Sequence, residues 1–277
     1  MPKKKFIVTI DVEQDISSYL KNSYVGVEVG LPPLLNLLNE IKVKVDFFVT
    51  ADVCEKYPDI IKEIINNGHN IGSHGLAHDL LWHKNYKQQY DELLLSTNII
   101  EKYTGNRPFM FRAPAFSVTT NTLKILEKLN YSIDSSVMPG AIAKRFKGLL
   151  TIKSFKDAPR MPYHPSSKDA AKKGEMNILE VPLTENPIFL GAPFGAGALN
   201  LFGTEKMLCT LESIPEDYVI FLIHPWEIVN LGKYHPNLKQ WVKDICSDNI
   251  QNYYDFFSKI KNNFEFANIN DLIPVEK

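Results

Sequence analysis

Short apolar runs rich in β-branched residues recur along this chain, and most are followed by a stretch with helical periodicity. Residues 6–10, 45–49 and 218–223 are three such runs. A continuous apolar run without polar alternation is typical of a strand buried on both faces, as in parallel sheets covered by helices. The repeated strand–helix pattern therefore predicts a parallel α/β fold.

Helical periodicity and chain punctuation divide the rest of the sequence. Apolar residues at helical spacing predict the helices 29–42, 58–66, 81–105, 119–130, 237–246 and 249–262. Residues 139–203 break this rhythm with many prolines and glycines, and we interpret them as a loop-rich segment with short strands at 149–154 and 178–182. The small-residue run 191–197 lacks the spacing of a dinucleotide loop and predicts a substrate-facing loop or a tight corner. No boundary divides residues 1–277, so we expect one domain.

Composition narrows the function classes. The 277 residues are 44% hydrophobic, enough for one sizeable core, and 31 basic against 32 acidic residues give a net charge of -1. This balance predicts no general attraction to nucleic acid or to an anionic membrane. Three widely spaced cysteines indicate neither a disulfide framework nor a zinc–thiolate site. No apolar stretch has the length of a signal peptide or a transmembrane span, so we expect a cytoplasmic protein.

Polar residues stand where the predicted strands end. These residues are Asp11, Glu13, His74, His78, Arg112, Asp134 and His224. Side chains alternate along a strand, so Asp11 and Glu13 should point to the same side, with Val12 pointing away. Because ligand sites of parallel α/β folds lie at the carboxyl ends of the strands, we expect these groups to share one mouth.

Two histidines four residues apart suit a metal ion. If residues 74–78 form a helical turn, His74 and His78 lie on one face and can share the ion. Together with one carboxylate they form a three-ligand site with an open position, as in hydrolytic zinc sites. We expect one divalent ion and predict that it is zinc, although cobalt, nickel, iron and manganese suit the same donors. The other acid would take a proton from water, and a histidine across the site would protonate the leaving nitrogen.

The ordered set of motifs resembles the polysaccharide deacetylases of carbohydrate esterase family 4. The matching segments are Thr9-Ile10-Asp11-Val12-Glu13, His74 to His78, Arg112-Ala113-Pro114, Asp134-Ser135-Ser136 and Leu222-Ile223-His224, in family order. The resemblance implies a distorted (β/α)7 barrel similar to a TIM barrel, as a single domain with an elaborated loop region.

The resemblance also implies roles for individual residues. Asp11 would be the general base and His224 the general acid, while Glu13, His74 and His78 would hold the metal. Arg112 would orient Asp11 through a bidentate pair, and Asp134 would tune His224 or Arg112. The backbone N–H of Ala115 would help bind the oxyanion. Phe116 and Trp226 are candidates to line the acetyl or sugar pocket.

Two positions depart from the family pattern. The family's first motif has an Asp where this chain has Val12, and the second acid moves to Glu13. Strand alternation makes this workable, because Glu13 shares a face with Asp11. The other departure is Gly75, where the family has Ser or Thr; it removes a hydrogen bond near the ligands but not a ligand.

The expected activity is metal-dependent hydrolysis that removes an N-acetyl or other N-acyl group from an amino sugar. A nucleotide-linked, lipid-linked or short oligosaccharide is the expected carbohydrate substrate, and the sequence leaves the oligomeric state open. Two alternatives stay open: an amidase of the same fold acting on a non-sugar C–N bond, such as an allantoin-like or cyclic imide ring, and a catalytically silent carbohydrate-binding protein. An open groove formed by residues 139–203 would favour glycans, and a closed pocket would favour small rings.

Overall fold

The computed structural model describes residues 3–16, 18–140, 144–146, 149–152 and 155–273. Its strands are β1 (Lys4–Val12), β2 (Asp46–Val49), β3 (Asn70–Ser73), β4 (Met110–Phe111), β5 (Ile133–Asp134), β6 (Lys144–Phe146), β7 (Leu149–Ile152), β8 (Leu179–Glu180), β9 (Tyr218–Ile223) and β10 (Phe264–Ala267). Its α-helices are α1 (Leu31–Glu40), α2 (Ala51–Lys56), α3 (Pro58–Asn66), α4 (Tyr86–Thr104), α5 (Thr120–Lys128), α6 (Ala196–Glu212), α7 (Leu231–Tyr234), α8 (Gln240–Asp244) and α9 (Ile250–Asn263).

Strand β1 pairs with three other strands of a parallel sheet. The strand order is β9-β1-β2-β3-β4-β5-β8, and β10 pairs with the first half of β1 on the side where β2 pairs with its second half. The strand pairs in this sheet are parallel, so their carboxyl ends emerge on the same side. The antiparallel hairpin β6–β7 lies outside it.

The gap between β8 and β9 is bridged by chain from the loop-rich segment. The Phe194 amide donates to the Thr184 carbonyl (2.8 Å), and the Leu222 amide donates to the Phe194 carbonyl (3.0 Å). The curled sheet is thus a distorted (β/α)7 barrel, which confirms the fold class that the sequence predicts.

Side-chain alternation along β1 separates two apolar layers. Phe6, Val8, Ile10 and Val12 pack in the large core that includes α1 and α9. Ile7 packs in the inner cluster with residues of β2, β4 and β9. Thr9 and Asp11 share the parity of Ile7, so the inward face of β1 runs from an apolar base to a polar mouth.

Helix α6 is the main difference from the predicted organisation. It begins at Ala196, inside the segment interpreted as loop-rich, and runs to Glu212. Gly195 allows this because a Cβ there would lie 2.2 Å from the Leu222 carbonyl oxygen, so only glycine lets the turn approach β9. The predicted strand at 149–154 appears as β7, and residues 153–154 lie outside the described residues. Within the described residues, no helix is long and apolar enough to cross a membrane.

Candidate active site

The two acids at the end of β1 face the same buried group of side chains. Asp11 is the penultimate residue of the strand and is 1% exposed; Glu13 follows the strand and is 4% exposed. His74 Nε2 lies 4.0 Å from Asp11 Oδ2 and 3.1 Å from Glu13 Oε2. The alternation argument is therefore confirmed, and Val12 packs in the outer core.

The histidine pair meets these acids, although not on a helix. His74 follows β3, and residues 74–79 have no helical hydrogen bonding. Gly75 (φ +79°) and His78 (φ +61°) both have left-handed backbone conformations, which turn the chain so that the rings approach with centroids 5.5 Å apart. The predicted helical turn is wrong, because the turn depends on these two residues rather than on a 3.6-residue repeat.

Glu13, His74 and His78 form a compact set of metal donors. One ligand atom from each lies within 4.8 Å of the others, and His78 Nε2 is 2.7 Å from Glu13 Oε2. His74 Nδ1 lies 2.8 Å from the Arg112 carbonyl oxygen, which fixes the Nδ1–H tautomer and leaves Nε2 free to bind. Two imidazole nitrogens and one carboxylate fit a zinc-type ion with an open position.

Charge inside this set favours the ionised carboxylate. Burial raises the pKa of Glu13, but the charges and hydrogen bonds of His78 and His74 outweigh burial, and the pKa falls well below its usual range. Burial lowers the pKa of His78, and Glu13 reverses this, so the net shift is upward. A carboxylate held in its charged form is the state that a divalent cation binds.

Arg112, at the end of β4, is fully buried and holds Asp11. Its Nη1 donates to Asp11 Oδ1 (2.8 Å) and to Thr9 Oγ1 (2.9 Å). Nε and Nη2 donate to the carbonyl and hydroxyl oxygens of Ser135, and the guanidinium stacks 4.2 Å over the Phe48 ring. The pair with Asp11 is thus a single hydrogen bond rather than the expected bidentate one, because other donors of the guanidinium go to Thr9 and to Ser135, which follows β5. Asp11 Oδ2 stays turned toward the metal donors.

His224, directly after β9, stands across from these groups. Its Nε2 lies 3.9 Å from Glu13 Oε1, and its Nδ1 lies 3.2 Å from Glu227 Oε2. Trp226 stacks on the imidazole with a centroid distance of 4.7 Å. Burial lowers the pKa of His224, but the hydrogen bond and charge of Glu227, with Glu13 and Asp11, raise it to about 9. The imidazole is therefore protonated at neutral pH.

Glu227 is a site residue that the sequence analysis passed over. Its carboxylate accepts from the His224 backbone amide (2.7 Å) as well as facing the ring, and it is 7% exposed. The signal was present: the acid stands three residues after the histidine at the start of a short helical turn, which is the spacing of a capping box.

The turn after Arg112 presents a free amide. Ala115 (φ +47°) and Phe116 (φ +57°) are consecutive left-handed residues, a conformation that costs energy without glycine. Among the described residues, the Ala115 N–H has no hydrogen-bond acceptor, whereas the next two amides donate to Ala113 and Pro114. Phe116 is half-buried against the inner apolar cluster.

Known proteins are similar to this chain over the segment that contains most of the site. A family model described as polysaccharide deacetylase matches residues 3–133, the part of the chain that supplies the acids, both histidines and Arg112. Over residues 3–133, just under half of its length, the chain is similar to the polysaccharide deacetylases. It is 31% identical over 124 residues to the peptidoglycan deacetylase-like protein FGM2 of Gibberella zeae (44% of this chain, 36% of that protein). It is 32% identical over 111 residues to a peptidoglycan deacetylase of Helicobacter pylori (40% of this chain, 38% of that protein).

The likeness in fold extends further than the likeness in sequence. A solved structure from Mycobacterium smegmatis, attributed to the polysaccharide deacetylases, covers 98% of this chain and 89% of its own, with a TM-score of 0.66 at 18% identity. The chain spans less than two-fifths of the length of the two sequence relatives. The matched part of these two relatives supports the similarity to the deacetylases, and the solved structure supports the fold.

Asp134 lies close enough to Arg112 for their charges to interact, so its tuning of Arg112 stays a prediction. Its Oδ1 accepts from Ser136 Oγ (2.6 Å), whose oxygen accepts from the Ala113 amide (2.8 Å), so it steadies the turn after Arg112. It does not reach His224, because Glu227, three residues further along the chain, already holds Nδ1. Its neighbour across the sheet is Glu180, also fully buried. Burial raises the pKa of Asp134 to about 6 and that of Glu180 well above its usual value.

Gly75, one of the departures from the family pattern, has a local reason. Its φ is +79°, and a Cβ there would lie 3.3 Å from Pro114 Cγ. We expect Gly75→Ser to destabilise the protein by about 1–2 kcal/mol, because serine is strained at this positive φ. We also expect weaker metal binding, because the backbone turn at residue 75 orients both histidines.

The chain offers a matched control for this substitution. Gly105 ends α4 with φ +74°, and nothing lies within 4 Å of a Cβ there. Denaturant unfolding and metal titration of Gly75→Ser and Gly105→Ser would separate backbone strain from the effect on the site. Equal metal affinity in the two variants would contradict the role given to Gly75.

Proposed function

We propose that this chain is a metal-dependent hydrolase that removes an N-acyl group, in the simplest case N-acetyl, from an amino sugar. The observation that carries the proposal is the donor set Glu13, His74 and His78, whose ligand atoms lie within 4.8 Å of one another beside Asp11 and His224. We propose zinc as the ion, which suits two imidazoles and one carboxylate. A divalent ion held there supplies Lewis acidity, which polarises an amide carbonyl and makes a water molecule easier to deprotonate.

Under this proposal, Asp11 acts as the general base. Arg112 Nη1 donates to Asp11 Oδ1 and also to Thr9 Oγ1. The other carboxylate oxygen, Oδ2, faces the metal donors and lies 4.0 Å from His74 Nε2. The hydrogen bond from Arg112 also orients the carboxylate. A water attacking an amide from the side of the donor set would lose its proton to Oδ2.

Under this proposal, His224 acts as the general acid. Glu227 holds Nδ1, so Nε2–H points toward the group that contains Glu13. The raised pKa keeps the ring protonated, and it can give its proton to the amine that leaves when the C–N bond breaks. The Ala115 N–H, which has no acceptor among the described residues, would donate to the oxygen that becomes negative in the tetrahedral intermediate.

The substrate class rests on the relatives and on the aromatic residues of the site. Both sequence relatives are named for deacetylation of peptidoglycan, a polymer of N-acetylated amino sugars. Trp226 lies on His224, where one face of a sugar ring or an acetyl group could pack, and Phe116 lies beside the Ala115 amide. We therefore propose an N-acetylated amino sugar as the substrate.

Asp11→Asn tests the assignment of base and ligands. We expect this variant to lose acetate release from N-acetylated oligosaccharides by about a thousandfold or more while it keeps its metal content. Elemental analysis of protein purified with metal in excess gives the second measurement, and His78→Ala, which removes a donor, serves as the control that should lose the metal.

Loss of metal from Asp11→Asn would show that Asp11 and Glu13 have exchanged roles. If the wild-type protein held metal but released no acetate from any amino sugar, and instead opened cyclic imide or allantoin-like rings, the amidase alternative would replace the proposal. Absence of metal from the wild-type protein would favour the silent carbohydrate-binding alternative.

A further inference from the structure

An apolar cavity of about 320 Å³ opens beside His224. One wall is formed by the end of β9, with Leu222, His224 and Glu227. Opposite lies the glycine-rich turn 192–197 with the first two turns of α6, and Trp241 and Ile245 form the third side. The cavity therefore adjoins the candidate active site at His224 and Glu227, which line both.

Small residues create this space. A Cβ at Gly195 would lie 2.2 Å from the Leu222 carbonyl oxygen, and one at Gly197 would lie 2.8 Å from Glu227 Oε1. These glycines bring α6 close to β9, while Ala192 and Ala198 leave the volume between them unfilled. The small-residue run is thus both a tight corner and a wall of a cavity that touches the partner of His224.

The cavity mouth exposes large apolar side chains. Phe189 is 59% exposed, Leu201 46%, Phe202 38% and Trp241 50%, and all four line the cavity. Exposed apolar side chains gathered around one cavity mark a binding surface more often than isolated ones do. A sugar ring would need a series of hydrogen-bond partners here, and the lining offers few.

Charge at the cavity disfavours a phosphate-bearing portion of a substrate. Within the described residues, the lining includes the carboxylates of Glu227 and Asp244 and no lysine or arginine. His224 also lines the cavity, but its ring is already paired with Glu227, so a nucleotide or lipid diphosphate would meet mainly negative charge. Asn186 adds a polar donor: it is 1% exposed, and its side-chain nitrogen has no hydrogen-bond partner in the described structure.

We propose that this cavity binds the alkyl part of an N-acyl group longer than acetyl, so that the enzyme prefers amino sugars with medium-chain acyl groups. The inference rests on the proposed function, in which His224 protonates the amide nitrogen. The acyl carbon is bonded to that nitrogen, so a chain extending from it can pass His224 and enter the cavity directly. A hydrocarbon attached elsewhere on the sugar would first have to span the ring.

A series of N-acyl glucosamines with acetyl, butanoyl, hexanoyl and octanoyl groups tests this proposal. Each buried methylene is worth about fourfold, so we expect kcat/KM for release of the free amine to rise at least thirtyfold from acetyl to hexanoyl. Binding of the same compounds to Asp11→Asn, followed by tryptophan fluorescence, should show a parallel fall in Kd.

Variants locate the effect. Ala198→Phe, which fills the cavity, should lower the octanoyl-to-acetyl ratio of kcat/KM by at least tenfold. Phe202→Ser, at the exposed mouth, should lower the same ratio and serves if Ala198→Phe does not fold. Leu190→Ser is the matched control, because Leu190 is 74% exposed beside Phe189 but does not line the cavity; its ratio should equal that of the wild type.

The possible outcomes separate the two proposals. Acetyl release with a flat or falling dependence on chain length would overturn the acyl site and leave the deacetylase proposal standing. Tighter binding of longer chains without release of any amine would support the acyl site and overturn the proposed function. A loss in Leu190→Ser equal to that in Ala198→Phe would show general adsorption to apolar surface and overturn the acyl site.

Discussion

Replacing Arg112 with methionine should destabilise the protein by about 3–5 kcal/mol. Arg112 and Asp11 are 0% and 1% exposed, so methionine would leave the Asp11 carboxylate buried without its cation. It would also leave Thr9 and the Ser135 carbonyl oxygen without the guanidinium donors that they now have. Urea unfolding with a chelator present measures this cost without a contribution from bound metal.

A double-mutant cycle with Asp11→Asn identifies the source of the loss. If the unpaired Asp11 carboxylate causes most of the loss of stability, the double variant Asp11→Asn/Arg112→Met should be more stable than Arg112→Met alone by about 1 kcal/mol or more. Arg112→Lys is the control for charge without the planar fork, and it should recover only part of the stability, since a lysine cannot reach Asp11 and Ser135 together. Additive effects of the two single substitutions would contradict the account given for this pair.

The strand ends were predictable because they follow from alternation and parallel topology. Once residues 6–10 are recognised as a buried strand, Asp11 and Glu13 must share a face, and in the observed sheet β1 lies between β9 and β2. His74, Arg112 and His224 each follow a parallel strand and therefore arrive at the same mouth. The positions of these residues follow from the periodicity of the strands, which can be recognised in a single sequence.

The partners of these residues were less predictable because they depend on local backbone turns. The histidine pair meets Glu13 through the left-handed conformations of Gly75 and His78, which a spacing of four residues does not reveal. Glu227 reaches His224 only because a short helical turn starts at Pro225. Arg112 makes one hydrogen bond to Asp11 because Thr9 and Ser135 take other donors, and the competition from Ser135 appears only when β4 and β5 are paired.

The start of helix α6 shows a second limit of the sequence. Glycines normally argue against a helix, and the run 191–197 was interpreted as loop for that reason. In the structure, residues 191–195 are not helical and form a tight corner, and only Ala196 and Gly197 of this run belong to α6; Gly195 and Gly197 occupy positions where a Cβ would meet Leu222 or Glu227. The same close approach forms the cavity beside His224, so the segment that periodicity described least well contributes most to substrate selection under our proposal.

Replacing Glu227 with glutamine should move the alkaline limit of activity to lower pH. Burial opposes protonation of His224, and the hydrogen bond and charge of Glu227 are the largest of the opposing influences that raise its pKa to about 9. Glutamine keeps the shape and a hydrogen-bond acceptor but removes the charge. We expect activity at pH 8 to fall about tenfold or more relative to wild type, and activity near pH 5.5 to change much less.

The interaction between Glu227 and His224 should also make the stability of the protein depend on pH. A histidine with a raised folded-state pKa adds stability that is full below its usual value of 6.5 and is lost as the pH rises through about 9. Glu227→Gln should therefore lose stability at pH 6 and match the wild type more closely above pH 9, as thermal unfolding across this range would show. A purely structural role for Glu227 predicts equal losses of activity at pH 5.5 and pH 8, and that result would contradict its assignment as the residue that keeps His224 protonated.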